Sequence, residues 1–132
     1  VKIWDSTTWT CIQTLEGHSD WVVSVVWNSQ GTHLASGSWD RTIKIWDTKT
    51  WTCIQTLIGH TRPVRSIAWN YHGILASGSS DGTIKIWNTK TWTCIQTLDD
   101  LERQNTPILS VVWILCGTQL ASGCGGKIHI WE

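Results

Sequence analysis

Three residue types associated with nucleophilic catalysis occur together twice in this chain, as His18, Ser36 and Asp40 and again as His60, Ser77 and Asp81. A hydroxyl activated by an imidazole, itself oriented by a carboxylate, would attack an ester or amide carbonyl. Gly78-Ser79-Ser80-Asp81-Gly82 also fits G-x-S-x-G, the turn that exposes a nucleophilic serine between a strand and a helix. Here the flanking sequence is strand-like on both sides: HLASGS (33–38) leads into TIKIW (42–46), and the same order recurs around Asp81. No helix follows, so the elbow match is accidental and a hydrolase is the weakest of the readings.

Cysteine is the other reactive group, with five in the chain. Cys11, Cys53 and Cys94 each stand in the same block, WTCIQTL, so their spacing is that of a repeat and not of a metal site. Cys116 and Cys124 occur singly and, with His129, match no zinc spacing. The five thiols read as structural, and no metal or other cofactor is expected. An odd count argues against a disulfide framework and for a reducing compartment. The expected location is therefore intracellular and cytoplasmic. The chain opens on Val1 and contains no Met, which reads as a processed or trimmed product or a fragment, so a missing leader carries little weight.

Charge and hydropathy exclude other classes. Ten Lys and Arg balance ten Asp and Glu over 132 residues, and no Lys/Arg cluster is present to hold a phosphate backbone, so nucleic-acid binding is not expected. No apolar run approaches the ~20 residues that span a bilayer, and a membrane partner is not expected either. A hydrophobic content of 41% is enough for a packed core.

Twelve of the thirteen aromatic residues are Trp, a bias that arises when a few positions are copied many times. VKIWD (1–5) recurs as IKIWD (43–47), IKIWN (84–88) and IHIWE (128–132), with steps of 42, 41 and 44 between the tryptophans. WTCIQTL recurs in phase at 9–15, 51–57 and 92–98, and Trp27, Trp69 and Trp113 keep the same period. Each period holds four short stretches of β-branched or alternating apolar residues, separated by Gly, Asn, Asp and Ser turns. The fold class is all-β.

Four strands per ~40–45 residues, closing on Trp-Asp, resemble the WD-repeat β-propeller family. The motifs are Gly17-His18, Leu34 to Ser38 before Asp40, and Ile43 to Asp47. They recur as Gly59-His60, Leu75 to Ser79 before Asp81, and Ile84 to Asn88. The third period departs: Asp100-Leu101 stands in the Gly-His region, three extra residues precede Pro107, and Gly125 or Gly126 replaces the Asp. With the family's strands named a to d outward from the axis, residues 1–15 are strands c and d of a preceding blade. Residues 16–57 are repeat one, 58–98 repeat two and 99–132 a degenerate repeat three. Thirteen strands make three blades plus one strand, an incomplete propeller, and its open edges invite association, including self-association that closes a ring.

The resemblance implies that the triad-like residues are structural: the strand-c Trp donates to the strand-b Ser, the Ser bonds the His, and the His bonds the Asp. The sets are Trp46, Ser36, His18, Asp40 and Trp87, Ser77, His60, Asp81. It further implies that partners dock on the face formed by the d–a and b–c loops. Its projecting positions are Trp21, Val23 and Trp39 in repeat one, Pro63, Arg65 and Ser80 in repeat two, and Pro107 and Leu109 in repeat three. Two Trp beside an Arg have the composition of an interface hot spot. A second candidate surface is the row Trp9, Trp51 and Trp92 in the c–d turns, where many relatives have Gly. Trp resists the left-handed conformation that Gly supplies, so these turns are expected to use another geometry. The expected function is a non-catalytic protein–protein interaction scaffold, part of a larger protein. The alternative is a glycan-binding propeller that uses the exposed Trp row.

Overall fold

The computed structural model describes residues 1–99 and 105–132. Among them, thirteen strands form four antiparallel sheets, joined by hairpins in chain order. The first sheet pairs β1 (Lys2–Trp4) with β2 (Cys11–Thr14). The second contains β3 (Val22–Trp27), β4 (His33–Ser38), β5 (Ile43–Asp47) and β6 (Cys53–Leu57), and the third contains β7 (Val64–Trp69), β8 (Ile74–Ser79), β9 (Thr83–Asn88) and β10 (Thr93–Asp99). The fourth holds β11 (Ile108–Ile114), β12 (Gln119–Cys124) and β13 (Lys127–Trp131). A single turn of helix, α1 (Leu115–Thr118), replaces the β11–β12 turn. The Asp100-Leu101 departure lies outside the described residues, as does the side chain of Cys116.

The sheets stack face to face as partial propeller blades, with β3 packed against β7 and β7 against β11. Alternation puts Ala35, Ile43 and Ile45 on one face of the second sheet, where they meet Val64, Ile67 and Leu75 of the third. The next junction repeats the arrangement with Ala76 and Ile84 against Ile108, Val111 and Leu120. Glycine sets the spacing. A Cβ on Gly37 would lie 2.9 Å from Val64 Cγ1, and one on Gly78 would lie 2.6 Å from Ile108 Cγ2, so only Gly lets the blades close at these points.

The c–d turns correct one expectation. Trp9, Trp51 and Trp92 have φ of 56°, 56° and 57°, which is the left-handed conformation itself. The turn's hydrogen bonds impose it. Asp47 Oδ1 accepts the Lys49 and Thr50 backbone N–H groups, Trp51 N–H donates to Asp47 O, and Asp47 N–H donates to Thr52 O. One helical turn closed at both ends must reverse through a left-handed residue. Asp5 and Asn88 build the same turns around Trp9 and Trp92. A side-chain oxygen is all the turn requires, so Asn88 can stand where Asp47 does. The strain of about 1–2 kcal/mol is offset for two of the three rings by packing. Trp51 meets Trp27 edge-on at 6.3 Å, and Trp92 meets Trp69 at 6.4 Å and His33 at 6.0 Å.

Candidate functional site

The residues with triad chemistry do come together. His18 Nε2 lies 2.7 Å from Ser36 Oγ, and His18 Nδ1 lies 2.7 Å from Asp40 Oδ2. The corresponding distances for His60, Ser77 and Asp81 are 2.8 and 2.8 Å. The serines are at the centre of strands β4 and β8, the histidines precede β3 and β7, and the aspartates occupy the β4–β5 and β8–β9 turns.

A further bond engages the serine of each set. Trp46 Nε1 donates to Ser36 Oγ at 2.9 Å, and Trp87 Nε1 donates to Ser77 Oγ at 2.9 Å. With the proton on His Nδ1, the series runs Trp N–H to Ser, Ser O–H to His and His N–H to Asp, which leaves no group over for a substrate. Both serines are wholly buried. A cleft of 420 Å³ touches His18 but not Ser36, and a cleft of 380 Å³ beside Trp69 and Trp113 meets neither set. In repeat three, Trp131 Nε1 still donates to Ser122 Oγ at 2.9 Å, without the His and Asp.

The carboxylates are held in the charged form. Burial acts to raise the Asp40 pKa, but hydrogen bonds from Thr42, His18 and the Ser19 backbone outweigh it and bring it to about 2. Burial also opposes ionisation of Asp81, where bonds from His60 and Thr83 hold the carboxyl well below the usual range. Thr42, just before β5, and Thr83, the first residue of β9, were not among the expected participants. Their signal was present, since each lies two positions after the Asp in both repeats and bonds its Oδ1 at 2.6 and 2.7 Å.

The face formed by the d–a and b–c loops carries a stacked cluster across two blades. Trp21 is 68% exposed and lies 5.0 Å from Trp39, with the rings tilted by 31°. The Trp39 backbone N–H donates to Trp21 O at 2.9 Å. From the next blade, Arg65 places its guanidinium 5.0 Å above the Trp39 ring and donates through Nε to Ser80 Oγ at 2.6 Å. Val23 and Leu109 are exposed on the same face, Pro63 and Pro107 are half-buried, and Ser80 is buried beneath Arg65. Ser80 therefore positions Arg65 and presents no surface of its own. On the other rim, only Trp9 is a free ring, 74% exposed, while Trp51 and Trp92 are half-buried.

Among the described residues no group of three or more His, Cys, Asp or Glu is placed to hold a metal ion, and no helix is long and apolar enough to cross a membrane. Cys11, Cys53 and Cys94 are exposed free thiols, and Cys124 is buried.

Comparison with known proteins agrees with this architecture. The sequence model "WD domain, G-beta repeat" matches residues 9–47, 51–88 and 92–132. A protein transport protein sec13 from Aspergillus clavatus is 46% identical over 50 residues, covering 33% of this chain and 17% of that protein. The nuclear distribution protein PAC1 of Coccidioides posadasii is 46% identical over 41 residues, 31% of this chain and 9% of that protein. A Lissencephaly-1 homolog from Branchiostoma floridae is 52% identical over 31 residues, 24% of this chain and 8% of that protein. The matched segment thus spans less than a fifth of each of these relatives.

Proposed function

The chain belongs to the WD40 family of G-beta repeats, and from that premise we propose that it is a non-catalytic scaffold that binds a protein partner through Trp21, Trp39 and Arg65. The stack of Arg65 on Trp39 on Trp21 carries the reading. It joins two blades, so its geometry is set by the rigid sheets, and it leaves the outermost indole largely in water. An exposed large ring held in place loses little conformational freedom when it is covered, which is the economy of an interface anchor. The neighbouring Val23 supplies an apolar border. WD40 relatives named for transport and for nuclear distribution are consistent with a role in assembly.

Quantitative affinity capture tests it. Proteins retained by the wild-type chain are to be lost with Trp21→Ala and with Arg65→Ala, at a temperature where circular dichroism shows all three folded. Equal retention by all three would overturn the assignment of this face. The alternative, a carbohydrate surface on the Trp9, Trp51 and Trp92 row, has only the one free ring of Trp9 in its favour.

A further inference from the structure

The second and third sheets, which pack directly on each other, leave a cleft of 320 Å³ between them on the rim opposite Trp21 and Trp39. Its walls come from the β3–β4 turn with His33, from the end of β7 with Trp69 and Tyr71, and from the β9–β10 turn with Lys90 and Trp92. A volume of this order is at the lower end of ligand-binding clefts. The rings are fixed before anything binds. Trp92 is half-buried and stands edge-on to Trp69 at 6.4 Å and to His33 at 6.0 Å. Tyr71 is 77% exposed, which leaves its ring free to cover a ligand.

The polar groups around these rings have their acceptors spent and their donors left over. Asn28 Oδ1 takes the His33 backbone N–H at 3.0 Å. Asn28 Nδ2 donates to Thr32 Oγ1 at 2.7 Å, which leaves the Thr32 hydrogen for His33 Nδ1 at 3.0 Å. His33 therefore carries its proton on Nε2, and no hydrogen bond from that nitrogen is made among the described residues. The Thr89 hydroxyl is engaged by Gly73 O at 2.6 Å. The Trp69 indole N–H is buried without an acceptor, whereas Trp113, one repeat on, donates to Ala68 O at 3.1 Å.

Charge points the same way. Lys90 is exposed, and its ammonium makes no ion pair among the described residues. Among those residues no Asp or Glu lines the cleft. Asp47, across the strands from His33, turns its Oδ1 to the Lys49 and Thr50 N–H groups of its own turn. A sugar hydroxyl brings a donor with each acceptor, and the cleft has few acceptors left to receive it. A carboxylate accepts only, and the rings beside it call for an apolar neighbour.

We propose that this cleft is a second docking site, for a peptide segment with an Asp or Glu next to a large aliphatic or aromatic side chain. The carboxylate accepts from His33 Nε2 and Lys90 Nζ, and the apolar side chain lies against Trp92 and Tyr71. Charge-assisted bonds fix the orientation, and the ring contacts supply the apolar burial. The site shares no residue with the Trp21, Trp39 and Arg65 face and stands or falls without it. With both faces in use, the chain holds two partners at once.

Random octapeptides displayed on phage, selected on the folded chain, supply the probes. Each enriched peptide is then measured by fluorescence polarisation on the wild type, Lys90→Glu, Tyr71→Ala and Trp21→Ala. Both cleft side chains are exposed, so an unchanged strand signal in circular dichroism is expected, and Lys90→Glu decides the matter if Tyr71→Ala fails to fold. An enriched class with an Asp or Glu beside a large apolar residue is expected. Its binding is to fall at least ~10-fold with Lys90→Glu and with Tyr71→Ala, on the scale of one charge-assisted contact or one ring contact, and to be unchanged by Trp21→Ala. Replacing the peptide's acidic residue by its amide is to weaken binding to the wild type and to remove the further loss in Lys90→Glu. A selection without an acidic class, acidic peptides that bind Lys90→Glu as tightly as the wild type, or acidic peptides lost only with Trp21→Ala would overturn the proposal.

Discussion

Arg65 lies over Trp39 with 5.0 Å between the guanidinium carbon and the ring centroid, although the two residues belong to different blades. The Ser80 hydroxyl fixes the angle by taking the Nε–H at 2.6 Å. The pair is therefore both a surface feature and a clasp between blades, and its two functions can be separated by measurement. In a double-mutant cycle of Trp39→Ala and Arg65→Ala, followed by urea unfolding, the coupling is expected at about 0.5–1 kcal/mol. Ser80→Ala is expected to reduce that coupling without abolishing it. Additive effects of the first two substitutions would show that the contact contributes no stability.

The three left-handed tryptophans predict opposite effects of one substitution. Trp9 has the strain of a positive φ and a ring 74% exposed. Trp9→Gly removes the strain and adds the larger unfolded-state entropy of Gly, for a net gain of about 0.5–1 kcal/mol. Trp51 packs on Trp27 and against the Leu34 and Trp46 cluster, so Trp51→Gly is expected to cost about 1–2 kcal/mol through lost apolar burial. Thermal melts of the two variants check this. A loss of stability in Trp9→Gly would mean that its ring is buried in solution.

Acid is expected to loosen the blades in a defined window. The Asp40 carboxyl titrates at about 2 in the folded chain against 3.8 ordinarily, and Asp81 is lowered in the same direction. Between those values the unfolded chain binds more protons than the folded one. The contribution is thus complete above pH 3.8 and is lost as pH falls through about 2. Melting temperature followed from pH 5 downward is expected to fall less steeply in Asp40→Asn than in the wild type. Parallel curves would show that Asp40 is not held in the charged form by its neighbours.

Much of this arrangement could be read from the residues. The near-identity of 43–57 and 84–98, which differ only at Asp47 and Asn88, exposed the period, and alternation within it exposed the strands. The Trp–Ser–His–Asp types were visible because two repeats keep them together. The left-handed Trp turns were not visible, because propensity argues against Trp there. What decides the backbone is the cap that Asp5, Asp47 and Asn88 place on the following N–H groups. The contact of Arg65 with Trp39 was hidden for a different reason. It depends on how far one blade is rotated against the next, and periodicity within a repeat does not carry that. Ser80 looked like a surface position for the same reason.

We propose that the buried His–Ser–Asp sets are structural, each tying together the strands of its own blade. The most direct measurement pairs thermal unfolding of Ser77→Ala with labelling of the wild-type chain by a serine-reactive fluorophosphonate. Removing the hydroxyl leaves the Trp87 N–H and the His60 Nε2 without their shared partner, and this is expected to cost about 1–3 kcal/mol. A lowered melting temperature and no label on Ser36 or Ser77 are expected. Labelling of either serine, with Ser77→Ala as stable as the wild type, would contradict the proposal.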